Sequence, residues 1–191
     1  MMTIAAAFVA VSMSAQVYLG GNIGFNTSTN KGADTKTTQF TIAPEVGMAL
    51  DDKFGVGIVI DFDYYKTKHD VAGTETNTTE FGLKPYLRYQ ALTFGKANIF
   101  VDGGIDFNIS KTKDMKAGMG LGLFVTPGIA YNISDKWSIV AKLNDMFGLG
   151  YKKSAIADVP GASDAPSRFG LDLSTGGFNV GNLTFGVFYN F

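Results

Sequence analysis

Few residues of this 191-residue chain have the types and spacing that enzyme chemistry at neutral pH requires. There is no cysteine, and the single histidine, His69, lies between Thr67 and Asp70 in a polar stretch. A catalytic triad needs a histidine held between a nucleophile and a carboxylate by a fixed framework. A lone histidine in a polar stretch is more typical of a solvated loop. The lack of cysteine excludes disulfides, thiolate metal sites and thiol chemistry. We predict no enzymatic activity and no cofactor.

Two other patterns resemble binding motifs in part only. Asp61 and Asp63 are separated by one residue, but a calcium loop also needs a glycine and further oxygen ligands nearby. Residues 118–122 read Gly-Met-Gly-Leu-Gly, but a dinucleotide-binding loop opens a helix, and Pro127 works against one here. Alternation along a β-strand explains both patterns, so we predict no metal site.

Composition points to an unusual solvent environment. The chain is 46% hydrophobic and 13% aromatic but only 17% charged, whereas soluble domains carry about 25% charged residues. Sixteen basic residues against 17 acidic residues give a net charge of −1, which gives no electrostatic reason to expect nucleic-acid binding.

The N-terminal segment resembles the end of a secretory signal peptide. Its apolar run, residues 4–11, is too short for a spanning helix, which needs about 18–20 residues. Small residues follow the run, although the basic start of a signal peptide is missing. We predict a cleaved, truncated signal peptide over residues 1–16 and one domain over residues 17–191. The alternative is a buried N-terminal strand or helix.

From Val17 onward, apolar residues recur at every second position, which indicates β-strands. Connections alternate between short turns and longer polar loops. Residues 169–179 either extend the last strand or belong to the loop before it. The eight predicted strands cover residues 17–26, 40–50, 54–65, 79–89, 99–109, 118–131, 137–149 and 182–191.

The two faces of these strands indicate which side meets water. One face is almost unbroken apolar, and the other is mostly glycine, asparagine, threonine and alanine with single charges. A soluble sheet carries far more charge on its polar face. Ten residues of tilted strand rise about 25 Å, the height of a lipid-facing band, and aromatics cluster at both strand ends. We predict an all-β, eight-stranded, antiparallel up-and-down transmembrane β-barrel with its apolar face outward. The alternative is a secreted, lipocalin-like carrier.

The chain resembles the small eight-stranded outer-membrane barrels of Gram-negative bacteria, the OmpA/OmpX-like family, over residues 17–191. The resemblance implies location in the outer membrane, contact with outer-membrane lipid and lipopolysaccharide, and insertion by the barrel assembly machinery. We also expect a monomer. The most specific element resembles the C-terminal signal that this machinery recognises, carried by Leu183, Phe185, Val187, Tyr189 and Phe191.

Nine charged residues fall on the inward face by strand parity. Counting across the hairpins places Asp61 near Lys84, Lys84 near Asp106, and Arg88 near Asp102. The nine residues are Glu45, Asp61, Asp63, Glu80, Lys84, Arg88, Asp102, Asp106 and Lys142.

These residues admit two interpretations. They form an ion-pair network that plugs the bore, or they line a narrow water-filled path widened by inward glycines such as Gly57, Gly104 and Gly120. Six acids minus three bases leave a charge of −3, so any conductance would favour cations. We therefore predict an envelope-structural or adhesive, surface-binding barrel that acts through its extracellular loops. The alternative function is a narrow channel for small solutes.

Overall fold

The computed structural model of the protein describes residues 16–30, 35–69, 73–113, 115–143, 147–153, 167–173 and 183–191. Residues 1–15 of the predicted signal peptide lie outside this part of the chain. No helix in the described ranges is long and apolar enough to cross a membrane. The strands are β1 (Val17–Asn30), β2 (Thr35–Ala49), β3 (Phe54–His69), β4 (Thr74–Phe94), β5 (Ala97–Thr112), β6 (Gly118–Asn132), β7 (Trp137–Leu143), β8 (Phe147–Lys153), β9 (Ser167–Leu173) and β10 (Leu183–Asn190).

The strands form a closed antiparallel barrel. Each of β1 to β6 pairs with its neighbour in sequence, and β10 closes the ring against β1, with Tyr18 opposite Asn190 and Asn22 opposite Gly186. The seventh position of the barrel is shared by two strands: β7 pairs with one half of β6, and β8 pairs with the other half. The eighth position is also shared by two strands: β10 pairs with β7, and β9 pairs with β8. The predicted eight-stranded fold is confirmed.

Strands extend further than the alternation of apolar residues predicted. Most of each predicted loop at residues 27–36 and 68–78 continues as strand, in the hairpins β1–β2 and β3–β4. In the predicted loop at residues 111–116, Lys111 and Thr112 extend β5 and pair with Thr79 and Thr78 of β4. Threonine pairs stabilise these polar extensions, with hydroxyl oxygens 3.1 Å apart in Thr37 and Thr67 and 2.8 Å apart in Thr78 and Thr112. Pairing does not require an apolar face, because threonine fits a strand well in water.

Two further boundaries differ from the prediction. The turn expected over residues 91–97 is tighter, since β4 runs to Phe94 and Gly95 adopts a positive φ of 56°. Glycine permits this conformation without a Cβ clash. Part of the uncertain segment 169–179 belongs to β9, which pairs with β8. Residues 174–179 and most of the predicted last loop lie outside the described residues.

The apolar face points outward and the polar face points to the barrel axis. Leu121 and Val187 are each 48% exposed, whereas Glu45 is 1% exposed and Asp102 is 2% exposed. This burial is the inverse of that in a soluble sheet, where polar side chains face water. The predicted orientation is confirmed.

Candidate functional site in the barrel lumen

Four charged side chains meet in the half of the lumen nearest the short turns, and we call them the charge ring: Glu45, Arg88, Asp102 and Lys142. Arg88 donates to both oxygens of Asp102, at 2.7 and 2.8 Å, and to Glu45 Oε1 at 3.0 Å. Lys142 Nζ lies 2.6 Å from Glu45 Oε2 and 3.2 Å from Asp102 Oδ2. Each cation therefore bridges both carboxylates, and two acids balance two bases.

The strand register brings these residues together. Arg88 in β4 lies directly opposite Asp102 in β5, so the guanidinium can bind the carboxylate through two parallel hydrogen bonds. Glu45 projects from β2 and Lys142 from β7, across the bore. Moving charges out of water costs a large free energy. Each of these four buried charges therefore needs partners of opposite charge.

Aromatic side chains fill the space around the charge ring. The Arg88 guanidinium lies 3.9 Å from the centre of the Phe100 ring, within cation–π range. Tyr86 donates to Glu45 Oε1, and its hydroxyl lies 2.7 Å from that of Tyr18. Phe188 stacks on Tyr18 with ring centres 5.2 Å apart. We call the charge ring and these rings together the lumen plug.

Inward glycines make room for these rings. A Cβ at Gly57 would overlap the Tyr86 ring, and one at Gly128 would overlap the Phe100 ring. The sequence interpretation in which inward glycines widen a water path is therefore wrong for Gly57. Because glycine has no side chain, the space beside Gly57 is free for the ring of Tyr86 on the neighbouring strand, which extends across the bore.

Above the lumen plug, toward the long loops, the lumen holds a cavity of about 460 Å³. Lys84 Nζ lies 2.7 Å from Asp61 Oδ2 and 3.9 Å from Asp106 Oδ2. Asp63 accepts hydrogen bonds from Thr41 Oγ1 and, at 3.0 Å, from Gln39 Nε2. The carboxylates lining the cavity are Asp61, Asp63, Glu80, Asp102 and Asp106, and its cations are Lys84 and Lys142.

The nine inward charges thus fall into two groups. Glu45, Arg88, Asp102 and Lys142 form the charge ring, and Asp61, Asp63, Glu80, Lys84 and Asp106 line the cavity above it. Within the described residues, no three histidine, cysteine or acidic side chains form a group that could hold a metal ion.

Sequence reasoning missed the aromatic part of the lumen plug. Tyr18, Tyr86, Phe100 and Phe188 each stand on the inward parity of their strands, so alternation alone could have found them. Of the C-terminal signal residues, Phe185, Val187 and Phe191 are exposed on the outward face.

A closed barrel with an apolar exterior and a charged interior defines an integral membrane β-barrel protein. The chain matches the family described as "Outer membrane protein beta-barrel domain" over residues 1–191. It belongs to this family, and its place is the bacterial outer membrane.

Solved structures of outer membrane proteins resemble the chain. A major outer membrane protein from Thermus thermophilus is 16% identical, with a TM-score of 0.57 over 93% of this chain and 100% of that one. OprG from Pseudomonas aeruginosa is 11% identical, with a TM-score of 0.47 over 93% and 94%. Neisserial surface protein A is 16% identical, with a TM-score of 0.45 over 93% and 96%. A search of curated proteins finds no match.

Proposed function

We propose that this outer membrane protein is a barrel closed to ion flow, with an envelope-structural or surface-binding role at its long-loop end. The observation that carries the proposal is the lumen plug. Glu45, Asp102 and Lys142 are all less than 5% exposed, and Phe100 and Val140 are 1% and 0% exposed. Side chains buried to this degree are expected of an eight-stranded barrel whose bore is filled by side chains, and this supports a bore closed to ions.

The hairpins at the long-loop end support the surface role. In β3 the outward apolar series ends near Tyr64, and the strand continues to His69. Five residues of tilted strand add roughly 12 Å above the aromatic level. This part is rich in threonine and lysine, and a polar hairpin held above a membrane is a suitable surface for recognition.

Conductance in planar bilayers tests the closed bore. We expect no steady conductance from the wild-type protein. Phe100→Ala with Phe188→Ala should open a path through the lumen plug that favours cations, because five acids and two bases line the cavity above it. The matched control is Phe107→Ala with Phe185→Ala, which removes two outward rings and should stay silent.

Each protein must first show the heat-dependent gel mobility of a folded barrel. Steady, cation-preferring conductance by the wild type would overturn the proposal in favour of a narrow channel.

For the surface role, replacing residues 67–76 by a two-residue turn should reduce retention of expressing cells on glass or on a cell monolayer. Unchanged retention on both would leave only the structural role.

A further inference from the structure

We propose that an outward surface at the long-loop end of the barrel binds the phosphate groups of lipopolysaccharide in the outer leaflet of the membrane. We call this surface the lysine face, and it consists of Lys36 in β2, Lys66 and Lys68 in β3 and Lys111 in β5. The inference goes beyond the closed-barrel function, because a closed bore neither requires nor excludes a lipid bound to the outer surface.

The height of the lysine face above the lipid-facing band is the first argument. Phe40 and Tyr64 lie directly opposite each other and are 42% and 43% exposed. Strand parity places Lys36 on the outward face with Phe40. Lys66 and Lys68 follow Tyr64 by two and four residues, so they lie about 5 Å and about 10 Å above the aromatic level. The headgroup region of a bilayer adds about 5–8 Å on each side, so the lysines are at the level of lipid headgroups.

The charge of the lysine face is the second argument. Among the described residues of this outward surface the one acid is Glu75, which pairs with Lys66 at 2.7 Å. Four lysines minus one carboxylate leave +3. At the short-turn end three acids balance three bases, and these exposed residues are Asp51, Asp52, Lys53, Lys96, Asp135 and Lys136. The excess of positive charge is therefore specific to one end of the barrel, where it attracts anions.

The strand register is the third argument. Lys36 lies directly opposite Lys68 on one side and Thr29 on the other. Like charges directly opposite each other destabilise a strand pair. Glu75 lies opposite Lys68 but binds Lys66, so one carboxylate serves two lysines and neither strand neighbour of Lys36 is an acid. A phosphate group between the ammonium groups of Lys36 and Lys68 would relieve their repulsion.

These three features select a lipid phosphate. Each lysine ammonium supplies three N–H donors, and a phosphate offers several charged oxygen acceptors. The apolar stem of lysine can follow the lipid-facing band while its ammonium reaches the headgroup. Long loops mark the outer side of such a barrel, where the leaflet consists of lipopolysaccharide with phosphates next to its acyl chains. A soluble polyanion fits less well, since the lysines point sideways toward lipid.

Native mass spectrometry of the folded full chain, in zwitterionic detergent at low salt, tests the lysine face. We expect saturable binding of diphosphorylated lipid A, about tenfold or more tighter than that of dephosphorylated lipid A. Lys36→Gln with Lys68→Gln should remove about tenfold of this affinity and leave the dephosphorylated lipid unaffected. The matched control, Lys53→Gln with Lys96→Gln, removes the same charge from exposed short turns and should change affinity less than about twofold, since distant charges are screened.

Lys36→Arg with Lys68→Arg keeps the charge and should bind lipid A as the wild type does. Equal affinity for the two lipids, or equal weakening by both glutamine variants, would overturn the proposal. Displacement of lipid A by equimolar heparin would assign the lysine face to a soluble polyanion instead. If Lys36→Gln with Lys68→Gln does not fold, the ratio of the wild-type affinities for the two lipids decides. Conductance and cell retention are separate readouts, so this proposal can fail while the proposed function stands.

Discussion

At the scale of single residues, the charge ring is tolerated in the barrel because each of its members binds two residues of opposite charge. Arg88 illustrates this: its guanidinium binds Asp102 and Glu45 and lies on Phe100. A buried ion pair contributes little over an apolar replacement, but losing one partner leaves the other charges uncompensated. The lumen plug is therefore sensitive to removal of one member.

We expect Arg88→Met to lower the free energy of unfolding by about 3–5 kcal/mol, because Asp102 and Glu45 would lose their arginine while staying buried. Urea unfolding in lipid vesicles measures this. The control is Lys66→Met, which breaks a pair with Glu75 on the exposed hairpin and should have no measurable effect. Equal effects of the two substitutions would show that the ring does not hold the barrel together.

At the scale of elements, the short turns and the last strand contribute to the barrel through backbone hydrogen bonds. The turn between β2 and β3 is closed by Asp51, whose Oδ1 accepts hydrogen bonds from the backbone N–H of Lys53 and Phe54, both at 2.7 Å. The last strand, β10, closes the ring against β1. The turn and the C-terminal end of β10 both lie at the short-turn end of the barrel, where the Phe191 N–H donates to the Val17 carbonyl.

The two backbone hydrogen bonds, with the Lys53 N–H as the larger effect, lower the pKa of the Asp51 carboxyl below its ordinary value. The pKa of Asp51 is therefore lower in the folded barrel than in the unfolded chain, so its ionised carboxylate stabilises the fold. This stabilisation is fully present above the unfolded pKa and is lost as pH falls through the folded pKa. Carbon-13 NMR titration of Asp51 should give a lower pKa in the folded barrel than in the urea-unfolded chain. Equal values would mean that the turn does not form as described.

The C-terminal signal remains a prediction, and it can be separated from stability. Phe191 is 71% exposed, so Phe191→Ser should leave refolding in detergent nearly unchanged. If Phe191 carries the predicted assembly signal, the same substitution should reduce the amount of folded barrel in the outer membrane of cells. Normal cellular yield would contradict the signal, and defective refolding in detergent would assign Phe191 a structural role instead.

At the scale of the whole molecule, one orientation determines every other property. The apolar band faces hydrocarbon and the charges face the axis, so the sheet has to close on itself, because lipid cannot satisfy a free strand edge. The same closure creates a bore narrow enough for side chains to fill.

Arginine substitutions along β6 test this orientation. Val125 lies midway along the outward face and Tyr131 lies near its short-turn end, and both are exposed. We expect Val125→Arg to cost about 2–4 kcal/mol in lipid vesicles and Tyr131→Arg about 0–1 kcal/mol, since the cost of a charge depends on its depth in the bilayer. A flat profile along the strand would mean that the face meets water.

The sequence by itself determined the fold class. Apolar residues recur at every second position in eight segments, and the other face of these segments carries too little charge for a soluble sheet. Few folds other than a membrane barrel satisfy both conditions. It also placed the nine charges inside, since parity assigns each to a face. Residues such as Leu121 and Asp61 needed no structure to be placed on opposite sides.

Only the tertiary structure decided how the lumen is divided. Whether Tyr86 crosses the bore depends on Gly57 on the neighbouring strand and on Tyr18 at a distance of 68 residues. Strand parity gives the side of a residue but not its height after tilt and register, so the charge ring and the acidic cavity could not be separated in advance. The polar ends of the hairpins were missed for a related reason, since strand pairing continues in water where the apolar alternation stops.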